Sequence, residues 1–193
     1  MPQISKRRLL PFVVLLALAV AAGGCGGGTE SAADKAAAKA EQEAKNQKPL
    51  PQPKPVSAQV VKPTAGEADI NTKPTVPKGA GAAPADLKAE TLIAGNGPAI
   101  QNGQQATVQY VGVTYADGKE FDTSWAKGKQ PFTFALGSGQ VIQGWDQGVL
   151  GMKVGERRRL TIPANLAYGA AGSPPKIGPN QALIFDIDLK KIG

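Results

Sequence analysis

Six aromatic side chains in the C-terminal half of the chain stand out as the residues on which chemistry could rest: Tyr110, Phe121, Phe132, Trp145, Tyr168 and Phe185. The usual catalytic groups are missing around them. The chain has no histidine and one cysteine, Cys25. That removes the commonest general base and metal ligand, any internal disulfide and any cysteine-based metal cluster. No two carboxylates are spaced for joint acid–base work, and no metal or cofactor is expected. What the rings can build is a dry apolar pocket, or simply the core of a small sheet domain. Two placements favour a pocket. Trp145 lies between Gly144 and Gly148, and Tyr168 lies in a Gly/Pro-rich loop, where a core ring is less expected.

The elements that must carry these rings are legible. Ile142, Trp145 and Val149 recur at helical spacing, which predicts a short helix with Gly151 near its end. A helix this short is marginal alone and needs a sheet to pack on. Strand-like runs cover residues 87–94, 106–115, 119–123, 132–136, 156–162 and 182–190. Val108 and Tyr110 fall on one face, and Val111 and Val113 on the other. Leu183, Phe185, Ile187 and Leu189 alternate with Asp186, Asp188 and Lys190. Asp117-Gly118 is a hairpin signal. The expected fold class is α+β, a curved antiparallel sheet wrapped on one short α-helix.

The rest of the chain reads as delivery. The 193 residues hold 24 Gly and 16 Pro, and most of the Pro precedes residue 85. Lys6-Arg7-Arg8, an apolar run over residues 9–22 and Ala-Gly-Gly before Cys25 form a secretory signal, too short to span a bilayer. The pattern resembles a bacterial lipoprotein signal, which implies cleavage before Cys25 and a lipid on that residue. Residues 1–24 are thus expected to be a signal peptide, and residues 25–84 a lipidated N-terminus with a disordered Ala/Lys/Pro-rich linker. The folded domain is expected at 85–193. The overall charge of +7 is not concentrated there. Eleven Lys and Arg against nine Asp and Glu leave roughly +2 in that span. The run Arg157-Arg158-Arg159 is split between strand faces and is expected to be a solvated surface, not a nucleic-acid site.

Many short blocks then fall into one order. They include Val108-Gln109-Tyr110-Val111-Gly112, Asp117-Gly118-Lys119-Glu120-Phe121-Asp122, Val141-Ile142-Gln143-Gly144-Trp145, Leu160-Thr161-Ile162-Pro163, Ala167-Tyr168-Gly169 and Leu183-Ile184-Phe185-Asp186. In order and spacing, from about residue 87 to the end, the chain resembles the FKBP-type peptidyl-prolyl cis–trans isomerases. The resemblance implies a reaction that needs no nucleophile and no metal. An X–Pro bond turns slowly because rotation sacrifices amide resonance. A dry aromatic pocket that strips water from the carbonyl disfavours the polar planar amide and suits the twisted form.

The same resemblance implies roles. Trp145 becomes the pocket floor; Tyr110, Phe121, Phe132 and Phe185 its walls; Val141 and Ile142 its lip, with the Ile142 N–H donating to a substrate carbonyl. Asp122 becomes a polar acceptor, Tyr168 a donor from the loop, and Ile177 part of the rim. Phe132 and Phe185 also read as plain core, and Asp122 as a local turn cap. Between Asp122 and Phe132 the chain is one residue longer than compact family members, so the basic partner of the aspartate falls to Lys127 or Lys129. Gln140 stands where an acidic residue is frequent, and Lys176 where an aliphatic one is common. The expected partners are proline-containing polypeptides, the family's macrolide inhibitors and a membrane reached through the lipid on Cys25. No nucleic acid is expected, and a monomer is. The expected location is extracytoplasmic and lipid-anchored. A non-catalytic proline-binding or chaperone module is the alternative reading.

Overall fold

The computed structural model describes residues 56–63 and 66–193. The expected signal peptide, Cys25 and the first part of the expected linker lie outside the described residues. Among the described residues, seven strands and one short α-helix are arranged as β1 (Gln59–Val60), β2 (Lys88–Ile93), β3 (Gln105–Thr114), β4 (Glu120–Thr123), β5 (Phe132–Ala135), α1 (Gln143–Gly148), β6 (Arg157–Ile162) and β7 (Leu183–Ile192). A 3-10 turn at Ala164–Leu166 follows β6. The sheet order is β1-β2-β6-β7-β3-β4, and β5 joins the same edge of β3 as β4. All pairings are antiparallel except β1 with β2, which is parallel. The expected all-antiparallel sheet is therefore mixed, because a two-residue strand enters from the segment read as linker.

The alternation in β7 sorts residues to two different interiors. Leu183, Phe185, Ile187 and Leu189 join Val108, Leu160, Ile162, Trp145 and Val149 in the main core, between sheet and helix. Burial of such side chains contributes about 1.5–3 kcal/mol each. The helix approaches β6 closely because it presents glycines. A Cβ on Gly144 would lie 2.4 Å from Ile162 Cγ2, and one on Gly148 2.5 Å from Leu160 Cδ1. The glycines flanking Trp145 thus serve helix–sheet contact, and the ring between them is set at a fixed depth.

The opposite face is covered by the segment expected to be disordered. Residues 66–84 pack on it, and residues 59–61 extend the sheet edge, where the Val61 N–H donates to Thr91 O at 3.1 Å. Val76, Tyr115 and Trp125 cover Val111, Val113 and Ile184. Gly79 lies against the Tyr115 ring, whose hydroxyl donates to Ala80 O at 2.8 Å. The packed unit therefore begins upstream of residue 85, and the linker boundary moves accordingly. The segment brings backbone carbonyls, among them Glu67 O and Thr72 O, and those carbonyls are what this face needs.

The need arises from the arginine run, which is not a solvated surface. Arg157 is fully buried and Arg158 nearly so. Arg157 pairs across the sheet with Asp188 and Arg159 with Asp186, at 2.6 and 2.7 Å. Arg157 also donates to Glu67 O and Thr72 O, both at 2.9 Å. Arg159 is further paired with the buried carboxylate of Glu67. Arg158 faces the other way. It pairs with Glu156 and donates to Gly148 O at 2.9 Å, meeting a carbonyl at the end of α1. The alternation is as expected; the solvation is not, because facing carboxylates and strap carbonyls replace water.

Candidate active site

The cavity is built outward from Trp145. The indole is 4% exposed. Tyr110 and Phe185 meet it edge to face, with centroids at 5.2 and 5.3 Å. Phe134 and Phe132 complete the ring set at 5.6 and 6.2 Å. Edge-to-face pairs contribute about 0.5–1.5 kcal/mol beyond area burial. The five rings come from four elements: β3 supplies Tyr110, β5 Phe132 and Phe134, α1 Trp145, and β7 Phe185. Phe121, on β4, packs on Phe185 at 5.5 Å.

Together these residues enclose an open-mouthed cavity of about 420 Å³, lined by Tyr110, Phe121, Asp122, Phe132, Trp145 and Phe185, with Val141, Ile142, Gly139, Gln140 and Tyr168 around them. Phe132 is wall as well as neighbour of the core, being 41% exposed. Phe185 is both core and wall. Ile177 is placed differently. It is buried and borders a neighbouring groove, not the aromatic cavity.

One polar cluster interrupts the apolar wall. The Tyr110 hydroxyl donates to Asp122 Oδ2 at 2.5 Å. Lys129 Nζ donates to Asp122 Oδ1 at 3.0 Å and to Thr123 O at 2.8 Å. Lys129 is thus the basic partner, and Lys127 is not. Partial burial pushes the Asp122 carboxyl up, but the hydrogen bonds from Tyr110 and Lys129 and the lysine charge outweigh it and hold the group below the usual carboxylate range. Burial, then the hydrogen bond to Asp122, raises the Tyr110 phenol well above its ordinary value. At neutral pH the pair is a phenol donating to an ionised carboxylate. Burial also raises Tyr168, with the Asp122 charge adding to it.

The lip is held from behind. Asp146 in α1 accepts from the Gly137 N–H at 2.8 Å and the Gly139 N–H at 3.3 Å. Gln140 Oε1 accepts from the Ala135 N–H at 3.1 Å. These bonds fix the turn that leads into Val141 and Ile142. Ile142 is the N-cap of α1, and its carbonyl accepts from the Trp145 N–H at 2.9 Å. Asp146 escaped the sequence reading; the signal available for it is an acidic residue in the first turn of the helix. Phe134 escaped it too, as the second aromatic of an alternating Phe132-Thr133-Phe134 run. Among the described residues, no group of three or more acidic or cysteine side chains is gathered to hold a metal ion.

A cavity of ligand size, walled by rings and carrying no reactive nucleophile, defines a protein that binds an apolar ring non-covalently. The comparisons with known proteins agree with that class. Residues 97–190 match the family described as FKBP-type peptidyl-prolyl cis-trans isomerase. The FK506-binding protein of Streptomyces anulatus is 54% identical over 118 residues, which is 61% of this chain and 94% of that protein. The human peptidyl-prolyl cis-trans isomerase FKBP2 is 57% identical over 76 residues, 39% of this chain and 53% of that protein. FK506-binding protein 4 of Dictyostelium discoideum is 51% identical over 106 residues, and there the match spans only 28% of the relative. The chain belongs to the FKBP-type peptidyl-prolyl cis–trans isomerase family.

Proposed function

We propose that this chain catalyses rotation about X–Pro bonds of exported polypeptides while held at a membrane by a lipid on Cys25, as a monomer. The observation that carries the enzymatic part is the four-ring cradle about Trp145, open at the Val141–Ile142 lip. A proline ring seated on the indole is held by apolar contact alone. Its preceding carbonyl leaves water and meets the lip, where the Ile142 N–H donates to no other group among the described residues.

Desolvation raises the energy of the polar planar amide more than that of the twisted one, and the difference lowers the barrier. That barrier is about 18–20 kcal/mol for an ordinary peptide bond and gives tens to hundreds of seconds for X–Pro unaided. Each 1.4 kcal/mol removed is about tenfold in rate. Asp122 and Tyr110 hold one another and keep the wall in shape. Two of the similar proteins are named for FK506 binding and for isomerisation, which supports occupancy of the same cavity by a macrolide of that class.

The test is a proline tetrapeptide assay with and without FK506. Acceleration that FK506 abolishes is the expected result. Peptide binding without acceleration would leave a proline-binding module and no enzyme. For the anchor, a labelled fatty acid should be incorporated into the chain and not into its Cys25→Ala variant. Equal labelling of the two would remove the anchor from this reading.

A further inference from the structure

A second groove runs beside the aromatic cavity. It shares Phe121, Asp122 and Tyr168 with that cavity and continues along Pro174, Pro175 and Lys176, with a volume of about 320 Å³. We infer that this groove is a substrate subsite in which Lys176 selects an acidic side chain next to the proline. The inference rests on the isomerase reading above and names the substrate class of that same site.

Three observations carry it. First, the two spaces adjoin, sharing Phe121, Asp122 and Tyr168 as lining, so the groove lies where a chain with its proline on Trp145 can extend. Second, the loop bearing Lys176 is pinned. The Ser173 N–H donates to Ile177 O at 2.8 Å, and the Ile177 N–H to Ser173 O at 3.0 Å. The three residues between them include two prolines, whose φ angles are fixed. Ile177 anchors the base of the loop in the core. The backbone carrying Lys176 is therefore set before substrate arrives, and only the lysine side chain is left to order.

Third, the charge is unmatched. The one carboxylate of the groove, Asp122, already has Lys129 and Tyr110. Lys176 has no ion-pair partner among the described residues. A glutamate or aspartate beside the proline supplies the missing anion, and a lysine there meets repulsion. The groove is open to water, so the effect is that of an exposed pair, modest and sensitive to salt.

The experiment measures kcat/KM of the full chain on tetrapeptides carrying Glu, Gln or Lys immediately before or after the proline. It is run in low and high salt, and repeated with Lys176→Ala and Lys176→Glu. The expected result, at one of the two flanks, is Glu over Gln by about two- to fivefold in low salt, with Lys below Gln. That order flattens in high salt, vanishes in Lys176→Ala and reverses in Lys176→Glu. Accelerated peptides with no Glu preference at either flank overturn the proposal alone. So does a preference that Lys176→Glu leaves unchanged. A Gln peptide left at its uncatalysed rate overturns the isomerase reading and this proposal with it.

Discussion

Replacing Arg157 with leucine is the sharpest test of how the sheet is held. The arginine is fully buried, and Asp188, its partner across β6 and β7, is 1% exposed. Two charge-assisted bonds of 2.6 and 2.7 Å join them. Removing the arginine leaves an anion in the interior, with only the Lys190 charge nearby to ease it. It also strips a donor from Glu67 O and from Thr72 O. Breaking a buried pair from one side costs about 3–5 kcal/mol. Against a total stability of about 5–15 kcal/mol, that is a large share. The melting temperature should fall by about 10–20 °C for a packed unit of this size.

Urea unfolding of the single variants and of Arg157→Leu/Asp188→Leu separates the causes. If the cost is the stranded anion, the double variant regains at least about 2 kcal/mol over Arg157→Leu. The remaining deficit belongs to the two strap carbonyls. A loss below about 1 kcal/mol for Arg157→Leu would place the pair among ordinary surface pairs and refute the reasoning. So would a double variant no more stable than the single one. Arg157 lies on the face of the sheet away from Trp145, so any fall in catalytic rate per folded molecule reports a loss of the β7 register that presents Phe185.

Other outcomes follow from the same geometry. Gly144→Ala puts a methyl 2.4 Å from Ile162 Cγ2; overpacking costs about 1–3 kcal/mol, against a helix-propensity gain of about 1 kcal/mol. A fall in both kcat/KM and melting temperature is expected, and an unperturbed Trp145 fluorescence spectrum with full activity would argue against the close approach. Tyr110→Phe keeps the ring on Trp145 but takes one donor from Asp122; the Asp122 pKa, followed by NMR, should move up toward the ordinary range, and no movement would deny the bond any role in holding it down. Asp122 has a depressed folded-state pKa, so its contribution to stability is present above the unfolded value of about 4 and is lost as pH falls through the lower folded value. The loss should shrink in Lys129→Ala, where less depression remains, and acid titrations that superimpose for the two proteins would contradict the assignment.

The strands and the helix were legible because each has two faces with different neighbours. β7 is the clearest case: apolar residues meet the helix side while aspartates meet the arginines, so the period of two is visible in residue type. The rings were legible on different elements as candidates for a pocket or a core, and it was the resemblance to the isomerase family that assigned them to one cavity. The strap was not legible. Its Pro-rich composition signals extended chain, and extended chain can be a spacer or a cover. What decides is the demand of the surface beneath it, and that demand comes from arginines 85 to 92 residues away in sequence. The same gap in sequence hid the fate of Arg157. Local alternation assigns a face, but only the facing strand and Glu67 show that the face is dry. Lys129 was narrowed to two candidates because loop length leaves the closing residue free until the backbone of the turn is known.

β7 joins the two halves of the molecule. Phe185, a wall of the cavity, sits between Ile184 and Asp186, which belong to the opposite face. A slip of one residue in β7 would turn Phe185 away from Trp145 and bring a carboxylate into the aromatic core. Apolar packing alone penalises such a slip only on the helix side. The pairs Arg157–Asp188 and Arg159–Asp186 penalise it on the other side as well, because each buried charge would lose its partner at once. Burying costly charges under a strap therefore has a use that net stability does not measure: it fixes the register of the strand that presents Phe185. On this view the segment upstream of residue 85 acts on the site without touching it. Its carbonyls and Glu67 keep the arginines dry, the dry arginines hold β7 in one register, and that register keeps the ring set closed around the indole.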